Sequence, residues 1–195
     1  MRSFERAFLP AAASPLPHRA PAGPGATGPT AARPPPLVHR LDAPTGFSGI
    51  FSVVRSAVRE VLHRERPGLG LALSNLPPGL GAYWQVTGNL IVLNENLVGT
   101  MRAHARDARE FNSFVFVILA HEYLHTLGYL EEEAVRPVTA RVAREAFGGD
   151  HPAAIMAGGD LWQLYPHLRY SPPGDGRRFR ILRDFDLEST ATYIR

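Results

Sequence analysis

The chain has 195 residues, enough for one domain with a hydrophobic core, and 45% of them are apolar, an ordinary fraction for a globular protein. It contains no cysteine, which excludes disulfides, thiolate nucleophiles, iron–sulfur clusters and Cys-type zinc sites, so any metal must be held by His, Asp or Glu. The formal net charge is +3, every basic residue is Arg, and the one tight cluster, Arg177-Arg178-Phe179-Arg180, reads as a solvated turn after Pro172-Pro173-Gly174, so nothing points to nucleic acid.

Residues 1–36 are read as a disordered tail, because the Pro-, Ala- and Gly-rich stretch ending in Arg33-Pro34-Pro35-Pro36 cannot bury enough apolar surface to offset its chain entropy. Glu5, Arg6 and the prolines at 10, 15 and 17 break any signal-peptide core, and no window reaches the roughly 18 apolar residues of a membrane span. The expected location is the cytoplasm, with no membrane partner. Residues 37–195 are read as a single α+β domain.

Within it, Phe47, Ile50, Phe51, Val54, Val58, Val61 and Leu62 recur at helical spacing, which predicts an amphipathic helix over 46–65 that Pro67-Gly68 ends. Leu69 to Asn75 reads as a short strand. Ala82 to Val86 and Asn89 to Asn94 read as two more around a Thr87-Gly88 turn. Glu95 to Arg109 reads as a helix. Phe114 to Leu119 alone could be a buried strand, but the apolar pattern runs on through Tyr123, Leu124 and Leu127 to Gly128, so a buried helix over 112–127 is expected. A further helix is expected over 131–147, ended by Gly148-Gly149. The remainder, 152–195, reads as loop-rich with a possible strand at 179–182.

The chemistry lies in Ala120-His121-Glu122-Tyr123-Leu124-His125. Positions four apart on a helix share a face, so His121 and His125 can aim imidazole nitrogens at one point, where neutral imidazole suits Zn²⁺. Glu122 sits one step round. It is poorly placed to join the ligands but well placed to take a proton from a water that the metal activates. This is the mechanical content of the H-E-x-x-H pattern. Two His and a Glu in so apolar a helix would be costly to bury without partners. Ligand type alone also permits iron or manganese.

On these residues the chain resembles the zincin metallopeptidases, over roughly residues 83–131. The resemblance implies a catalytic zinc, Glu122 as general base, and a peptide or protein substrate lying extended along an edge strand supplied by Tyr83 to Val86 or Asn89 to Leu93. A third metal ligand is then expected. In the run H-E-x-x-H-x-x-G-x-x-E, Glu131 stands where the metzincins place a third His. Glu131, Glu132 and Glu133 can equally be an acidic first turn that complements a helix dipole. Glu145, 20 residues after His125, lies near the distance at which zincins take a Glu from a following helix. His151 follows a Gly-Gly turn beside Asp150, and small zincin-like proteins carrying HEYLH followed by Gly-Asp-His-Pro are similar here, which favours it. Glu131 and His151 lead, with Glu145 behind and His167 a fourth candidate. Met156 invites comparison with a Met-turn, and Tyr165 or Tyr170 could donate to an oxyanion. The expected function is a zinc-dependent hydrolase, a peptidase. The alternative is a non-catalytic or regulatory metal-binding domain of the same type that binds a peptide partner, with the Pro-rich tail as a docking segment.

Overall fold

In the computed structural model the described residues are 36–43, 45–86 and 88–182. The predicted tail over 1–36 and the tip residue Thr87 therefore fall outside them, apart from Pro36. The described part is α+β. In chain order it runs α1 (Leu37–Asp42), α2 (Phe47–Leu62), β1 (Gly70–Ser74), β2 (Ala82–Trp84), β3 (Leu90–Asn94), α3 (Glu95–His104), α4 (Ala108–Thr126), α5 (Glu132–Phe147), α6 (Pro152–Gly158) and α7 (Leu161–Leu164). A 3₁₀ turn (Pro166–Tyr170) and β4 (Phe179–Leu182) follow. Among the described residues no helix is long and apolar enough to cross a membrane.

The four strands form one mixed sheet in the order β2-β3-β1-β4. β1 and β3 run parallel with Leu71 opposite Ile91 and Leu73 opposite Leu93, while β2 and β4 add antiparallel at the two edges. Side chains alternate across a strand. Leu71, Leu73, Ile91 and Leu93 accordingly enter the main core beneath the helices, and Ala72 and Val92 join Leu76 in a small cluster on the other face.

α4 is the axis of the domain. It packs against α2, α5, α6 and the β2–β3 side of the sheet, and every residue from Phe114 to Ala120 is buried. A helix apolar all round belongs at the centre of a fold. Its ring contacts tie the neighbours down: Phe116 meets Phe147 of α5 edge-on at 4.9 Å, and Tyr123 meets Phe51 of α2 at 5.5 Å.

The predicted helix over 95–109 is two elements. α3 stops at His104, and α4 starts at Ala108, before the expected residue 112. Asp107 is the cause: its carboxylate accepts the Glu110 N–H at 2.8 Å, which caps a new helix. Asn112 and Ser113, expected near the N-terminus, are buried in its second turn. The segment after residue 152, expected to be loop-rich, instead carries α6 and α7. Asn89 to Leu93 does not supply the sheet edge, since β3 lies between β2 and β1, and β2 has the free edge on the α4 side.

Candidate metal centre

The site is built at the last turns of α4. His121 and His125 lie one turn apart with ring centroids 4.8 Å apart, and their Nε2 atoms approach to 3.2 Å. Glu132, the first residue of α5, places Oε1 3.3 Å from both nitrogens. Among the described residues this is the group of His, Asp and Glu side chains compact enough to hold an ion.

The turn between the two helices explains the convergence. Gly128 takes φ +98°, a left-handed conformation that costs glycine nothing, and Tyr129 N–H returns to the Leu124 carbonyl. This reversal also brings the Tyr129 carbonyl to 2.7 Å from His125 Nδ1. A carbonyl can only accept, so Nδ1 carries the proton and Nε2 presents its lone pair to the cluster. Burial lowers the pKa of His121, against the pull of Glu132, and so favours the neutral form of this ring. Burial works to raise the Glu132 carboxyl, but the two imidazoles outweigh it and hold the group below its ordinary value.

Two neutral imidazoles and a carboxylate suit Zn²⁺ chemically. They suit it geometrically as well. Ligands at about 2.0–2.1 Å in a tetrahedron stand roughly 3.3–3.4 Å from one another, and the three separations here are 3.2, 3.3 and 3.3 Å. Without a cation or an extra proton, acceptor lone pairs would face each other across the cluster.

Glu122 lies beside this triangle and is 7% exposed. Burial pushes its carboxyl up to about 7, while a protonated His125 ring would, and the Trp84 backbone N–H does, work the other way. The strand explains that donor. Gly81 O accepts from Asn94 N–H and Gln85 N–H donates to Leu90 O, so residues 81, 83 and 85 address β3. Ala82 and Trp84 alternate with them and turn their backbone groups to the free edge. An open cleft of about 790 Å³ starts at His121, Glu122 and Glu132 and runs between Gly79–Ala82 and the Met156–Trp162 stretch, over Val117 and Ile118.

The other candidates lie elsewhere. Glu131 is the residue before α5, with extended backbone and no capping bond from its side chain, and is not part of the cluster. One step along the helix start, Glu132 takes the place expected of Glu131. Glu145 pairs with Arg141 at 2.8 Å on an exposed face. His151 is not brought to the two histidines. It is 3% exposed, its Nε2 contacts Asp42 at 3.0 Å, its Nδ1 accepts from Ala153 N–H as the cap of α6, and Phe147 stacks on it. Both of its nitrogens are thus engaged in holding α1 to α6, and the partner is Asp42 rather than Asp150. His167 stacks on His104 at 4.4 Å. Met156 sits on helix α6, buried, in the wall of the cleft. The Tyr165 hydroxyl donates to Glu110 at 3.0 Å, and Tyr170 is 86% exposed.

Comparison with known proteins adds no family: no protein-family model, curated protein or solved structure matches this chain.

Proposed function

We propose that this domain is a zincin-like, zinc-dependent hydrolase that acts on peptides, with His121, His125 and Glu132 as metal ligands and Glu122 as general base. The observation that carries this reading is the convergence of two imidazole nitrogens and one carboxylate oxygen within 3.3 Å, beside a buried carboxyl at the mouth of an open cleft. A zinc ion held there supplies Lewis acidity, which lowers the pKa of water to about 7 and polarises a scissile carbonyl.

The protein's own side chains do the rest. Glu122 takes the proton of the attacking water on a carboxylate oxygen and hands it to the leaving amide nitrogen. A general acid–base group placed this way contributes about 10²–10⁴-fold. The bond from His125 Nδ1–H to Tyr129 O selects the tautomer whose Nε2 faces the metal site. The outward backbone groups of Ala82 and the Trp84 carbonyl offer strand pairing to an extended peptide, and the apolar floor formed by Val117 and Ile118 offers room for a side chain.

Metal analysis of the full-length protein should return one zinc per chain, and the protein should cleave a fluorescent casein. Glu122→Gln should keep the zinc and lose at least about 10²-fold in rate. Hydrolysis by Glu122→Gln at the wild-type rate would overturn the mechanism. One zinc per chain with no cleavage by wild type would favour the non-catalytic alternative, and no stoichiometric zinc together with melting unchanged by a chelator would remove the metal altogether.

A further inference from the structure

β2 is a three-residue strand with a single ladder partner, yet its residue Ala82, and Gly81 before it, line the cleft beside Glu122. Packing sets β2 and β3 against α4. Hydrogen bonds across that join come from Arg66, in the connection between α2 and β1. Its Nη1 donates to the Thr126 carbonyl, one residue past His125, at 3.1 Å. Its Nη2 donates to the Gly88 carbonyl at 3.1 Å and to Asn89 Oδ1 at 2.9 Å, both in the β2–β3 connection. The guanidinium lies 5.4 Å from the Trp84 ring centroid, and the indole Nε1 of Trp84 donates to the same Gly88 carbonyl at 2.9 Å. Arg66 N–H donates to Tyr123 Oη at 2.8 Å, so the arginine is also anchored to the helix residue next to Glu122.

We propose that Arg66 is a positioning residue, which staples the β2–β3 hairpin to the end of α4 and thereby holds the free edge of β2 beside Glu122. The role in catalysis rests on the hydrolase reading above; the staple itself does not. A planar fork with several donors on one rigid plane can bridge two backbone elements at once, which a lysine ammonium on a flexible stem does not reproduce. The metal ligands lie on the α4–α5 side of the site and make none of these bonds. Removing Arg66 should therefore separate metal binding from proton transfer.

The chain has two tryptophans, so ¹⁵N-tryptophan labelling of the full-length protein isolates the Trp84 backbone amide, with Trp162 as internal control. In Arg66→Ala the Trp84 amide should lose about tenfold or more of its exchange protection, while Trp162 is unchanged and one zinc per chain is retained. On casein, kcat/KM should fall about tenfold, and Arg66→Lys should recover part of the loss. Asn89→Ala removes one acceptor at the surface and should lower Trp84 protection in the same direction, which keeps the test decisive if Arg66→Ala fails to fold. Wild-type protection of Trp84 in a folded Arg66→Ala, or in Asn89→Ala if that protein alone folds, would overturn the staple. Loss of protection with kcat/KM unchanged would overturn its role in positioning. Absence of zinc from the wild type would instead refute the hydrolase reading, and the amide measurement would still decide whether the staple exists.

Discussion

Replacing Glu132 with glutamine keeps the shape of the side chain and removes its charge from the three-residue cluster proposed to hold zinc. Apparent zinc binding energies of about 10–16 kcal/mol over four ligands assign roughly 2.5–4 kcal/mol to each, which is roughly 10²–10³-fold in Kd. Glu132→Gln should weaken zinc by about that factor in competition with a chromophoric chelator. Glu131→Gln should stay within about twofold of wild type, because its side chain lies outside the cluster. Melting provides a second readout. Free zinc at 100 times Kd adds about 2.7 kcal/mol to a protein that binds it only when folded, or roughly 5–10 °C for a domain of this size. That shift should vanish in Glu132→Gln at the same zinc concentration and survive in Glu131→Gln. Zinc binding by Glu132→Gln within about threefold of wild type, or equal damage from Glu131→Gln, would refute the ligand assignment.

His151→Ala should leave zinc affinity unchanged and cost about 2–3 kcal/mol in urea unfolding, since it deletes the buried bond to Asp42 and the cap of α6 together. Weaker zinc binding in that variant would return His151 to the metal. Glu110 should give the domain a pH dependence of its own. Hydrogen bonding to Arg106, helped by the Tyr165 hydroxyl and against the effect of burial, holds its carboxyl below the usual value of 4.5. A depressed acid stabilises the fold fully above its unfolded pKa and loses that contribution as pH falls through the folded value. Glu110→Gln should therefore cost about 1–3 kcal/mol at neutral pH, and the urea curves of the two proteins should converge below about pH 4. A gap that stays constant from pH 7 to pH 3 would refute the linkage.

The secondary structure around the site was largely legible, because periodicity depends on burial and burial was strong there. The strands at Gly70–Ser74 and Leu90–Asn94 and the helix through His121 and His125 follow directly from their apolar patterns. The division between α3 and α4 left only a quiet signal. No Pro or Gly marks residues 105–107, and the cue is the Asp107-x-x-Glu110 spacing of a capping box, with Glu110 reaching back to the Arg106 N–H. The carboxylate of the cluster was displaced by one residue. Three consecutive glutamates are equivalent as composition, and each step along a helix turns a side chain by about 100°. Which one faces the histidines depends on where α5 starts, and that start is set by the turn at Gly128. His151 showed the reverse difficulty. A histidine between turn residues reads as available, and its partner Asp42 lies in α1, whose packing no local pattern encodes. Arg66 was silent for the same reason, since every group its guanidinium touches comes from another element.

On the proposed reading, the two halves of the machinery are assembled over very different lengths of chain. The metal-binding side chains span eleven positions from His121 to Glu132, across one helix–turn–helix. Closing a loop of that size takes about 10–100 ns and costs little chain entropy. The donor to Glu122 comes instead from a strand that reaches α4 only after the sheet has docked, a non-local event that sets the slower folding timescale. Ion capture and general-base alignment therefore run on separate clocks. A chain whose helical hairpin is formed and whose sheet is not would be fully loaded and inert, so metal content would be a poor proxy for active protein.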